Sequence, residues 1–231
     1  MRPAPRWPRR GLLALFGLLL LWQGWYAGWV LWWKYVDPGT TAFMRQRLSE
    51  LQEQNPRAEL RHQWRDYGKI SVHLKRAVIA AEDDKFVDHE GFDWEGMQKA
   101  LEKNQRRGKV VAGGSTISQQ LAKNLFLSAA KTPWRKAQEA IITVWLELFW
   151  SKRRILEVYL NSVEWGDGIF GAEAAARRYH DTGASSLSAE QAARLAVMLP
   201  APRRHERNPH SAFMNGRTQA ILARMRLSEV P

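Results

Sequence analysis

Apolar positions divide the chain unevenly. Residues 11–33 are 23 consecutive positions without a charged side chain, and Gln23 is the strongest polar group among them. At about 1.5 Å of rise per residue, a helix of that length covers roughly 34 Å, enough to cross the hydrocarbon core of a bilayer. Asp37-Pro38-Gly39-Thr40-Thr41 then breaks the helix, and a polar helical stretch over 43–54 ends at Asn55-Pro56. From residue 62 the spacing predicts one mainly α domain. Thr132-Pro133 supplies an N-cap and a first-turn proline for a helix that continues through the apolar run 141–149. Ser188-Ala189-Glu190-Gln191 has the form of a capping box, opening a helix that Pro200 closes. A basic, proline-broken loop over 200–209 and an amphipathic helix over 213–225 follow. No alternation of apolar and polar residues is long enough to predict a sheet. The expected divisions are a tail over 1–10, a single transmembrane helix over 11–33, a juxtamembrane linker over 34–61 and a helical domain over 62–231.

Charge gives the span a direction. Arg2, Arg6, Arg9 and Arg10 precede it with no acidic residue among them. The positive-inside rule therefore predicts a cytoplasmic N-terminus and a domain on the outer face of the cytoplasmic (inner) membrane, in the periplasm. A cleaved signal peptide would need small residues at its cleavage site, but Ala27 and Gly28 are flanked by Tyr26 and Trp29. Six of the 12 tryptophans fall within the first 33 residues, several of them placed for an interfacial belt. Without the four arginines, 31 basic residues face 23 acidic ones, so the exported part carries a charge of about +8. Export excludes nucleic acid as a partner and leaves anionic lipid or a phosphorylated substrate. The chain has no cysteine, hence no disulfide and no thiol chemistry.

Residues 82–93 crowd six carboxylates and one histidine directly after the apolar run 77–81. On a helix, Glu82 shares a face with Val78 and Ile79, four and three positions back. Apolar neighbours raise a carboxyl pKa, which suits proton transfer. Glu139 has different neighbours: Arg135 four residues back and Lys136 three back, which favour its anionic form. Two carboxylates in opposed surroundings are the general signature of divided acid–base roles. Phe86 and Phe92 read as core residues, and His89 as a structural hydrogen-bonding residue, since no second histidine stands at ligand spacing. Gly113-Gly114-Ser115 permits close backbone approach before a helix but lacks the Gly-Lys-Ser/Thr ending of a nucleotide-binding loop. Ser115, Gln119, Gln120 and Lys123 offer hydroxyl, amide and ammonium groups suited to a sugar diphosphate. The apolar residues Trp145, Leu146, Leu148, Phe149 and Trp150 exceed one amphipathic face, and read equally as core or as a face dipping into the bilayer. Ser128-Ala129-Ala130-Lys131 matches the Ser-x-x-Lys of penicillin-binding transpeptidases, but the partner motifs and a second domain are missing.

Four blocks occur in order: residues 82–93, Gly113-Gly114-Ser115-Thr116-Ile117-Ser118-Gln119-Gln120-Leu121-Ala122-Lys123-Asn124, Arg135-Lys136-Ala137-Gln138-Glu139 and residues 152–161. Together they resemble the signature motifs of the peptidoglycan glycosyltransferases, most closely the monofunctional, membrane-anchored ones, over roughly residues 62–225. The resemblance implies a lysozyme-like helical lobe with a smaller jaw lobe beside the membrane. It implies that Glu82 is the base and that Glu139 acts on the diphosphate side of the donor. By correspondence, Asp83, Ser115, Thr116, Gln119, Gln120, Lys123, Asn124, Arg135 and Lys136 contact or orient substrate. No cofactor is certain; Mg2+ or Mn2+ near Glu139 is the one the resemblance allows. The implied partners are lipid II, the growing glycan on undecaprenyl diphosphate, the membrane and other divisome or cell-wall synthesis proteins. Two rival readings stand: a lysozyme-like lytic enzyme, which would lack the cations a diphosphate demands, and a non-enzymatic membrane-anchored scaffold.

Overall fold

The computed structural model describes residues 7–109, 113–130 and 132–231. Of the N-terminal arginines, Arg2 and Arg6 lie outside the described residues, as does Lys131 of the Ser-x-x-Lys match. The first helix, α1 (Trp7–Trp33), contains the apolar span Arg10–Trp33. Its first half stands free, with Leu12, Leu13 and Leu21 among its exposed side chains, while Val30 is fully buried against the domain. After the Pro38-Gly39 break, Thr41 caps α2 (Ala42–Gln54) by accepting from the Met44 N–H.

The rest of the chain runs β1 (Arg61–His62), α3 (Val72–Glu82), α4 (Trp94–Arg107), α5 (Ile117–Phe126), α6 (Pro133–Phe149), α7 (Lys152–Ser162), β2 (Glu164–Gly166), β3 (Ile169–Phe170), α8 (Ala172–His180), α9 (Ala189–Met198), α10 (Pro202–Glu206) and α11 (Ala212–Arg224). Local chemistry sets the starts. Ser71, Thr116, Thr132, Ser151, Ser188 and Ser211 each turn a hydroxyl onto the first exposed amides of the following helix. The predicted capping box at Ser188 forms, and Thr116 with Gln119 makes a second.

The core lies where α3, α5, α7 and α9 meet. Leu74 and Val78 of α3, Ile117 and Leu121 of α5, and Leu156 and Leu160 of α7 are all sealed from solvent. Ala192, Ala193 and Ala196 keep one face of α9 small, so α3 can approach it closely. The apolar run on α6 divides by face. Leu146 and Trp150 are core, whereas Ile141, Val144 and Leu148 are exposed.

Four expectations need correction. A small sheet exists, ordered β1-β3-β2, with β1 parallel and β2 antiparallel to β3; its strands of two or three residues are too short for any periodic signal. The loop over 200–209 contains the short helix α10, tied down where the Asp167 N–H donates to Glu206 at 2.9 Å. Phe92 is half-buried and stacks on exposed Trp94 instead of entering the core, while Phe86 is fully buried. The stretch expected as a linker is part of the domain: Arg47 of α2 donates to Glu164 of β2 at 2.8 and 3.2 Å, and both side chains are buried.

Candidate active site

The acidic block begins where α3 ends. Glu82 is the last residue of α3 and faces a cavity of about 1140 Å³ between α3, α5, α6 and α11. Smaller pockets of about 370 and 510 Å³ lie beside β1 and beside the start of α3. Asp83 turns the other way. Its carboxylate accepts the Ile117 N–H at 2.9 Å and faces the His89 Nε2 at 2.9 Å. His89 Nδ1 accepts the Gly91 N–H at 3.1 Å, so Nε2 carries the proton given to Asp83. Asp83 and His89 thus join the acidic loop to the start of α5, and His89 is a hydrogen-bonding residue of the frame. Gly91 has φ +88°, and an added Cβ would meet Thr143 at 2.8 Å, so this close approach of loop to α6 needs glycine. Lys152, from the fourth block, completes the frame by donating to the His89 carbonyl and to Glu147.

Around Glu82 the partners are neutral. Gln120 Nε2 donates to Glu82 Oε2 at 2.8 Å, and the buried Tyr159 hydroxyl donates to Gln120 Oε1 at 3.0 Å. Burial pushes the Glu82 carboxyl above the ordinary glutamate value, while the Gln120 hydrogen bond and the charges of Arg217 and Lys123 partly oppose it. Burial also raises the Tyr159 phenol, with Glu82 and Asp83 adding to the effect.

Around Glu139 the partners are cations. Arg135 donates to one carboxylate oxygen at 2.5 Å and Lys136 takes the other, and Glu139 itself is buried. Lys136 also reaches the Ser115 hydroxyl at 3.3 Å, bridging α6 to the glycine-rich turn. Lys123 lines the same cavity; burial lowers its pKa, Glu139 and Glu82 oppose that shift, and Arg135 and Lys136 add to it. The donor set does not suit a divalent ion. Both Glu139 oxygens are occupied by cations, and among the described residues no three metal-ligating side chains gather anywhere.

Eight of the residues expected at the site line this one cavity: Glu82, Ser115, Gln119, Gln120, Lys123, Arg135, Lys136 and Glu139. The other three do not. Asp83 is a strut; Thr116 caps α5 and donates to the Gly91 carbonyl at 2.7 Å; Asn124 is buried on another side of α5. The cavity also takes in Lys103, Arg204, His205 and Arg217, none of which the sequence marked individually. Richness in arginine over 200–209 was the available signal for Arg204. Arg217 carried none, because α11 reads as an ordinary amphipathic helix.

A helical domain that holds two carboxylates in one cleft, one hydrogen-bonded to an amide and one to cations, has the groups that glycosyl transfer requires. The chain belongs to the transglycosylase family, whose model matches residues 47–226. Over all 231 residues, covering both chains completely, it is 60% identical to the biosynthetic peptidoglycan transglycosylase of Dechloromonas aromatica and 62% identical to that of an Azoarcus species. The protein of the same description from Aromatoleum aromaticum is 61% identical over the same length.

Proposed function

We propose that this protein polymerises lipid II into linear glycan strands of peptidoglycan. The growing strand on undecaprenyl diphosphate is the donor, and lipid II is the acceptor. Glu82 takes the proton of the acceptor GlcNAc 4-hydroxyl as that oxygen attacks C1 of the donor MurNAc. The new C1–O4 bond is β-1,4; the bond from C1 to the diphosphate breaks with inversion, and its electron pair leaves on the diphosphate. That leaving group needs charge neutralisation more than a proton. Lys123, Arg135, Lys136 and Arg217 supply it, and Glu139 holds Arg135 and Lys136 in place.

The observation that carries this reading is the division of surroundings within one cavity. Glu82 is engaged by neutral Gln120, whereas Glu139 is clamped by Arg135 and Lys136. A lytic enzyme acting on uncharged glycan has no use for that cation set, and a scaffold has no use for a desolvated carboxylate. The exposed apolar side chains of Ile141, Val144 and Leu148 on α6 favour a domain seated at the membrane, where lipid-linked substrates arrive. In this reading α1 crosses the membrane with the arginine-rich tail inside and the domain in the periplasm.

Purified protein incubated with fluorescent lipid II should give a ladder of glycan products on a gel. Glu139→Gln should cut turnover roughly 10²-fold, as loss of a preorganised charge partner does. Added Mg2+ or Mn2+ should leave the deficit in place. Absence of a ladder from the wild type would overturn the reading, and full turnover by the variant would overturn the role of Glu139.

A further inference from the structure

Gln23 is the one amide in the 23-residue uncharged run. An amide withdrawn from water without a partner is costly, so a lone glutamine on an apolar helix seeks a hydrogen bond from another helix. The partner is in the catalytic domain. Gln23 Nε2 donates to Gln138 Oε1 at 3.0 Å, and Gln138 Nε2 returns a longer bond to Gln23 Oε1 at 3.4 Å. Gln138 is only 4% exposed and is the residue before Glu139.

The pair belongs to a continuous seam. One turn earlier on α6, Trp134 stacks on Trp22 with ring centroids 5.7 Å apart and planes within 9°. Farther on, the Trp150 indole donates to the Val30 carbonyl at 2.7 Å, and Arg154 donates to the Trp33 carbonyl at 2.8 Å. The second half of α1 therefore lies parallel to α6 along its back. Arg135, Lys136 and Glu139 stand on the opposite side, toward the cavity. Residues 133–137 include no buried side chain, and Gln138 and Glu139 are the first in α6 that are. From behind, the start of α6 is touched by the membrane anchor at Trp134, which stays 67% exposed, and at Gln138.

We infer that Gln23 is a positioning residue for the diphosphate side of the cleft: through Gln138 and the Trp22–Trp134 stack, the anchor fixes the first turns of α6 and so the placement of Arg135, Lys136 and Glu139. The inference rests on the role of Glu139 proposed above. It makes the span a brace behind one wall of the active site as well as a tether.

The test uses full-length protein in proteoliposomes. Gln23→Leu and Gln138→Leu each leave one amide unpartnered in apolar surroundings. Each should lower kcat about tenfold, as displacement of a preorganised group by a fraction of an ångström does, with KM changed less than about twofold. The double Leu variant replaces the pair by an apolar contact and should recover to within about threefold of wild type. Singles with wild-type kcat, or a double no better than the singles, would overturn the inference.

Geometry is tested separately. Because the chain has no cysteine, Gln23→Cys combined with Gln138→Cys gives a unique pair for a short bis-maleimide. After cleavage at a protease site engineered between residues 37 and 41, the two fragments should stay joined; fragments that separate would also overturn it. Glu139→Gln, run in parallel, tells the two failures apart. If that variant is active, the role of Glu139 falls; if it is dead while the Gln23 variants are normal, only the positioning inference falls.

Discussion

Replacing Glu82 by glutamine should abolish polymerisation and stabilise the fold at the same time. The substituted side chain keeps its shape, and its amide oxygen can accept the Gln120 N–H now given to Glu82 at 2.8 Å. Only the ability to take a proton is lost. Removing a general base costs about 10²–10⁴ in rate, which is about 2.7–5.4 kcal/mol of barrier at 1.36 kcal/mol per decade. Stability moves the other way. Burial raises the folded-state pKa of Glu82 above its ordinary value of 4.5, so its stabilising contribution is complete below the unfolded value and lost as pH rises through the folded one. An amide at this position does not titrate. The Glu82→Gln variant should therefore melt higher than wild type at pH 8 and lose that advantage as the pH approaches 4. The same shift predicts that the acid limb of the wild-type rate profile inflects above 4.5. The assays are lipid II polymerisation on gels and thermal unfolding in detergent across pH. Turnover within tenfold of wild type, or a lower melting temperature at pH 8, would refute the assignment.

Two further outcomes follow from other parts of the chain. Arg47→Ala should destabilise the domain by about 3–5 kcal/mol, because it strands Glu164 without its partner in a pair whose side chains are 6% and 7% exposed; a loss below about 1 kcal/mol in denaturant unfolding would mean that α2 is dispensable. Protease added to spheroplasts should digest residues 34–231, and a protected domain would contradict the topology proposed from the N-terminal arginines.

Local signals were legible wherever the chemistry was local. The N-caps at Thr132 and Ser188 are visible because a hydroxyl three residues before a free amide acts within one turn. Glu82 and Glu139 stood out because their apolar and cationic neighbours lie three and four positions away on the same helix. What the sequence hid is non-local. The Arg47–Glu164 pair, which turns an expected linker into part of the domain, joins residues 117 positions apart. Arg217 reaches the cleft from α11, where nothing nearby distinguishes it from a solvated arginine. Asp83 and Thr116 sit within the right blocks, yet neighbouring positions on a turn face different ways, and their oxygens are spent on the backbone of residues 117 and 91.

In the roles proposed for them, the two glutamates are one residue type given opposite work by its surroundings. A base must be able to accept a proton, so its partners must be neutral donors that orient without fixing the charge; Gln120, held in turn by Tyr159, meets that need. A group that organises cations must stay charged, so its partners must be cations; Arg135 and Lys136 meet that one. Exchanging the two sets would fail on both sides, since an arginine hydrogen-bonded to Glu82 in place of Gln120 would lower its basicity further and an amide at Glu139 would free the cations. In the proposed topology, helix α6 is where these demands meet the membrane. Its cleft side carries Glu139, its exposed flank carries Ile141, Val144 and Leu148, and its back is held by α1. A substrate whose diphosphate lies at the lipid surface, between an apolar tail and a sugar, presents the same order of chemistry across one helix.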